Sequence, residues 1–204
     1  IKAVLKSHFP DHGFYGEELG REVGDNEHLW LIDPIDGTKS FVRGYPMFST
    51  QIALMKGGEL ILGVSSAPCW DGALGEVMYA EKGQGAWCDN QRLSMAATDS
   101  IAKATLSTGN LARLAASPAW SRLGALIGKV HRIRGYGDFL HYHLLASGRI
   151  DVGLVYNPAP APALDTRALV AEPLYLIGPA SGRRVTPPMG PPVPLKELGS
   201  HRLI

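Results

Sequence analysis

The chain has 204 residues, of which 45% are hydrophobic, and a formal net charge of +1. That length and apolar content suit one globular domain, or one and a fraction, with a real core. The near-neutral balance gives no electrostatic footprint for nucleic acid, and no stretch approaches the roughly 18 unbroken apolar residues of a membrane span.

Two cysteines, Cys69 and Cys88, are too few for a disulfide scaffold and too far apart for a C-x-x-C site. No charged start leads into an apolar signal segment, so a cytoplasmic location is the expectation. Residues 1–8 predict a helix already under way, which "FPDHG" stops. "HLWLID" (28–33) predicts a buried strand, short and apolar and bounded by Pro34. "FSTQIALMKGGELILGVSSAP" reads as two strands joined at Gly57 and Gly58, and "GEVMYAEKGQGAWCDNQRL" repeats that form with "DN" before the next strand. "SPAWSRLGALIGKV" predicts a helix with Ser117 as N-cap and Pro118 at its first position. "GDFLHYHLLASGRID" predicts a second helix ending at Gly148, and "IDVGLVY" a final strand. Ten of the 15 prolines fall from Pro158 onward. They hold the backbone extended and remove ladder donors, so 179–204 is expected to be a poorly ordered tail. Strands, helices and antiparallel hairpins mix, which points to layered α and β.

The chemistry concentrates in "WLIDPIDGTKSF". Asp33 and Asp36 lie at the end of the apolar run, with Pro34 between them and Gly37 and Thr38 after them. Oxygen donors without patterned cysteine or histidine suit a hard cation such as Mg²⁺. Two such ions about 3.5–4 Å apart hold the attacking and leaving oxygens of an in-line displacement at phosphorus. The amides of Gly37 and Thr38, opening a helix, would take phosphate oxygens. A lone D-x-x-D also caps turns.

"GEE" at 16–18 followed by "WLIDPIDGTKSF" resembles the inositol monophosphatase family of Mg²⁺-dependent, lithium-sensitive phosphatases. The resemblance runs from about residue 1 to residue 155 and includes "GVSSAP", "AEKGQGAW" and "GDFLHYHLLASGRID". It implies an α-β-α-β-α layered sandwich, usually dimeric, so a homodimer is an expectation here. It implies two or three Mg²⁺ ions and a small phosphate ester as substrate. Glu17 and Asp33 would hold the first metal with the carbonyl of Ile35, and Asp33 would bridge to a second shared with Asp36. Thr38 would position the attacking water, while Gly37 and Thr38 amides would hold phosphate.

The sequence departs from the family at both ends. An acid usually found upstream of the glutamate motif, and two N-terminal helices, are not in the chain, so 1–178 is read as a phosphatase domain shortened at its start. Val155 stands where the family has a substrate-contacting glutamate. "ALDTRAL" (163–169) resembles the family's W-D segment, with Leu164 for Trp and Asp165 as the second metal's ligand; a helix-start Asp is the alternative. Asp138 is placed as in the histidinol-phosphatase branch, where a carboxylate meets the substrate's ammonium, or else it N-caps the helix from Phe139. Histidinol phosphate is therefore put ahead of inositol monophosphate, and an inactive relative is the reading of another class.

Other residues read as structural. His141 and His143, two apart on a helix, face different ways, so at least one is expected to be surface or structural. Trp70, Trp87 and Trp120 are expected in the core. Arg134 and Lys39 are the basic residues that could reach a phosphate.

Overall fold

A computed structural model describes residues 1–16, 20–25, 27–72, 74–156, 164–168 and 174–179. The chain divides into two compact units, residues 1–93 and 94–204.

In the first unit, helix α1 (Lys2–His8) ends at Phe9, just before Pro10. Strands β1 (Gly13–Gly16) and β2 (Gly20–Glu22) pair antiparallel. β3 (His28–Asp36) runs parallel to β1, which places it beside the glycine-bearing entry to the "GEE" motif. After the short helix α2 (Thr38–Val42) come β4 (Ser49–Lys56), β5 (Glu59–Ala67), β6 (Glu76–Glu81), β7 (Gly85–Cys88) and β8 (Gln91–Arg92). All eight strands form one sheet in the order β2-β1-β3-β4-β5-β6-β7-β8.

The turn chemistry explains the hairpins. Gly57 (φ 56°) and Gly58 (φ 83°) close β4 onto β5, and Asp89 (φ 46°) and Asn90 (φ 70°) close β7 onto β8. Two successive left-handed residues match the right-handed twist of the strands they join, and Gly, Asn and Asp carry that conformation most cheaply. β3 is fixed from below by Trp30, which is buried and whose Nε1–H donates to His12 Nδ1 at 3.0 Å.

In the second unit, β9 (Thr105–Thr108) is followed by α3 (Leu111–Ala115), α4 (Trp120–Ile127), β10 (Arg132–Arg134), α5 (Asp138–Ala146) and β11 (Val152–Tyr156). β12 (Leu164–Ala168) and β13 (Leu174–Pro179) complete a sheet ordered β10-β9-β11-β13-β12. β10 and β11 lie parallel to β9, which requires helical crossovers, and α3, α4 and α5 supply them. Leu123 and Leu126, three apart on α4, pack with Leu106, Val152 and Leu154 of the strands and with Leu114 of α3. Asp151 ties the start of β9, accepting from the Thr105 amide at 2.6 Å and from the Thr98 hydroxyl.

Three expectations change. α4 begins at Trp120 with Ala119 as its cap; the Ser117 hydroxyl instead accepts from Ala119 N–H in the turn before it. "IDVGLVY" is not the last strand, since β13 and β12 extend the sheet beyond it. Trp120 is exposed and Trp70 and Trp87 are half-buried; the fully buried tryptophan is Trp30. His141 and His143, expected to include at least one surface or structural residue, are both 3% exposed and structural, because α5 is covered on several sides rather than one. Of the expected tail, only Pro179 lies among the described residues. No helix among the described residues is long and apolar enough to cross a membrane.

Candidate active site

Two carboxylates three residues apart on a regular strand point to opposite faces of the sheet, since side chains alternate with period two. β3 defeats that alternation. Its register with β4 runs unbroken from His28↔Lys56 to Asp33↔Gln51, then shifts, so that Asp36 rather than Ile35 lies opposite Ser49. One extra residue has entered β3: a β-bulge. Gln51 and Ser49 are two apart on β4 and share a face, so their partners Asp33 and Asp36 share it too.

The residues of the motif build that bulge. Pro34 has no N–H to give to a ladder, so a bulge is where a strand tolerates it. Its carbonyl accepts from the Thr50 hydroxyl at 2.9 Å, a staple across the irregularity. Asp33 Oδ1 accepts from the Ile35 amide at 3.1 Å, closing a side-chain turn over Pro34. Ile35 O in turn accepts from the Thr38 hydroxyl at 2.9 Å. Gly37 has φ 84°, and a Cβ there would lie 2.7 Å from Met47 O. What approaches its backbone closely is therefore the protein's own Met47 carbonyl. Gly37 O accepts from the Ser40 and Phe41 amides at 2.9 and 3.1 Å, which starts α2.

Asp33, Ile35, Asp36, Gly37 and Thr38 thus form one cluster. Glu17 lies outside the described residues; the strand that leads to it ends at Gly16, in register with Ile32. Asp138 and Asp165 belong to the second unit. Asp138 does not cap α5. It is the helix's first residue, behind Gly137, and holds φ 45° with an exposed side chain. Asp165 falls in β12 opposite Gly178, so it starts no helix. Arg134 donates to the Ile133 carbonyl at 2.8 Å, and Lys39 lies exposed in α2.

Sequence reading missed two polar groups. One is the set Ser49, Thr50, Gln51 and Ser65, whose only signal is the polar interruption "STQ" ahead of an apolar strand. The other is His12, Asp25 and His28, which offer ligand atoms within 4.8 Å of one another. That trio sits at the start of β3, away from Asp33. Its atoms are already committed: His28 Nδ1 and Asp25 Oδ2 are 2.8 Å apart, and His12 Nδ1 accepts from Trp30. The two imidazoles stack at 4.4 Å with an 8° interplanar angle, so their in-plane lone pairs run parallel and do not converge on one ion. Asp25 is held down to about 2, chiefly by the His28 amide and then by the His28 ring. The trio braces the strand, and the acidic bulge is the cluster whose donor set suits a hard cation.

The Inositol monophosphatase family profile matches residues 1–166. The chain belongs to the inositol monophosphatase family. It is 37% identical over 157 residues to a histidinol-phosphatase of Mycobacterium tuberculosis, a match covering 74% of this chain and 59% of that protein. It is 35% identical over 156 residues to an inositol-1-monophosphatase of Rhizobium meliloti, covering 74% and 57%. Among solved structures it superimposes on the extragenic suppressor protein suhB of Bartonella henselae with TM-score 0.72 at 25% identity, covering 87% of this chain and 76% of that one. The inositol monophosphatase of Anabaena (Nostoc) gives TM-score 0.70 at 25% identity, covering 87% and 77%. The mixed α+β layered fold with its large mixed sheet is that of the family. The chain spans about 59% of the length of the Mycobacterium relative.

Proposed function

We propose that the protein is a phosphomonoesterase acting on a small phosphorylated metabolite, with histidinol phosphate ahead of inositol 1-phosphate, and that Mg²⁺ is its cofactor. The observation that carries this is the bulge. It turns two acids onto one sheet face where, without a cation, they would only repel. The donor set fits: Asp33, Asp36 and the Ile35 carbonyl are hard oxygen ligands, and the family resemblance adds Glu17 as a further acid. When bound, Mg²⁺ supplies positive charge to a phosphate and acidifies a coordinated water.

The chain's own residues do the rest. Thr38 gives its hydroxyl hydrogen to Ile35 O. Its lone pairs are left to accept from the attacking water and orient it. The amides of Gly37 and Thr38, at the turn into α2, hold phosphate oxygens. Asp33 keeps one oxygen on the Ile35 amide and turns the other to the site. The preference for histidinol phosphate rests on Asp138, which the resemblance matches to a branch whose carboxylate meets an ammonium that inositol phosphate lacks. Relatives named for each of the two substrates match at similar identity.

The test is phosphate release from histidinol phosphate, inositol 1-phosphate and fructose 1,6-bisphosphate, with and without Mg²⁺ and Li⁺. Release that requires Mg²⁺, is inhibited by Li⁺ and has its highest kcat/KM on histidinol phosphate is expected. No release from any of the three, with Mg²⁺ binding shown by calorimetry, would make the chain an inactive relative.

A further inference from the structure

The face that carries Asp33 and Asp36 also carries an unusual polar ladder. Gln51 lies opposite Asp33 on one side and opposite Ser65 on the other, and Ser49 lies opposite Asp36. By strand alternation all five side chains share one face. Gln51 Nε2 donates to Ser49 Oγ at 2.7 Å and to Ser65 Oγ at 2.8 Å. A primary amide has two N–H hydrogens, so both are used and the amide plane is fixed. What Gln51 has left to offer is Oε1, which only accepts.

That leaves an acceptor on the face that carries the two carboxylates, where the next pair along the strands is Ala53 and Gly63. Here the surroundings favour a donor in front of Oε1, and water held by a cation is the donor that suits a cluster of acids. Mg²⁺ dehydrates reluctantly and keeps several waters, so acceptors beyond its direct ligands help set its affinity.

We propose that Gln51 is a positioning residue of the cation site: its amide, pinned by Ser49 and Ser65, presents Oε1 to a water of the bound ion. This rests on the reading of Asp33 and Asp36 as cation ligands. It adds to that reading a residue which touches neither the ion nor the phosphate.

The experiment is Mn²⁺ binding to the protein, by electron paramagnetic resonance and calorimetry, with thermal melts to verify folding. Gln51→Met keeps the length of the side chain and removes the acceptor; affinity falls roughly 10- to 100-fold. Gln51→Glu restores acceptor oxygens, with the serine hydroxyls turning to donate to it, and binds at least as tightly as the parent. Ser49→Ala releases one of the two bonds that pin the amide and weakens binding several-fold, which tests the proposal even if Gln51→Met does not fold. Parental affinity in Gln51→Met or in Ser49→Ala overturns the proposal. Equal weakening by Gln51→Met and Gln51→Glu also overturns it, since the amide would then matter only for packing. A parent protein that binds no Mn²⁺ removes the cation site itself, and that outcome is distinct from the others.

Discussion

At Gly37 two constraints coincide. Its φ of 84° lies where a side chain costs about 1–2 kcal/mol, and a Cβ would press to 2.7 Å on the Met47 carbonyl, which is backbone and cannot swing away. Gly37→Ala is expected to destabilise the protein by at least about 2 kcal/mol, read from its urea midpoint. Asp138 raises the opposite case, a non-glycine residue kept at φ 45° without serving as a cap. A non-glycine residue in this region at the start of a helix motivates a functional test. Asn tolerates the same conformation, so Asp138→Asn removes charge without disturbing the fold. A lost charge-assisted contact of about 1.5–3 kcal/mol lowers kcat/KM for histidinol phosphate roughly 10- to 100-fold and leaves inositol 1-phosphate unaffected. Equal losses on both substrates would show that Asp138 does not read the ammonium. The acids of D-P-I-D were legible in the sequence as a cluster. The bulge that sets them on one face was not, because spacing by three has no strand period, and only the pairing of Asp36 with Ser49 reveals the extra residue.

Elements were legible where turn chemistry spoke for them. Gly57–Gly58 and Asp89–Asn90 announced their hairpins because few residues accept φ above zero. β1, β9 and β10 did not announce themselves, since three or four residues between glycines or polar flanks carry no usable alternation. α5 was found as a helix, but the extent of its burial was not legible. An amphipathic rule assigns one face to solvent, whereas this helix buries Phe139, Leu140, His141, His143, Leu144 and Leu145. The consequence is measurable. Burial pushes His141 down to about 4, and its Nδ1 has no partner among the described residues. The folded protein therefore holds His141 neutral while the unfolded chain binds a proton below the usual 6.5. Stability from this group is complete above pH 6.5 and is lost as pH falls toward 4, by on the order of 3 kcal/mol. His141→Leu should flatten the decline of unfolding free energy between pH 6.5 and 4.5 without a penalty at pH 7. A profile as steep as the parent's would assign the acid sensitivity to other groups.

At the scale of the whole molecule, the order of strands within each sheet could not be read from one sequence, because it depends on which crossovers and edges form. β1 inserts beside β3 although β2 separates them along the chain, and β13 comes between β11 and β12. The reading that a cation reconciles the acids of β3 has a consequence for stability independent of turnover. An ion that binds only the folded state stabilises it by RT ln(1 + [L]/Kd), about 2.7 kcal/mol at a hundred times Kd. For a chain of this length that raises Tm by roughly 5 to 10 °C. Asp33→Asn separates the ion from the fold. The asparagine oxygen can keep the bond to the Ile35 amide, so the turn over Pro34 survives. The negative charge is gone, so repulsion from Asp36 is relieved. Without Mg²⁺ the variant should melt at or above the parent's temperature; with saturating Mg²⁺ the parent should rise and the variant should not. A variant that gains as much from Mg²⁺ as the parent would mean that the ion is held elsewhere, and that the bulge on β3 shapes the strand without building a site.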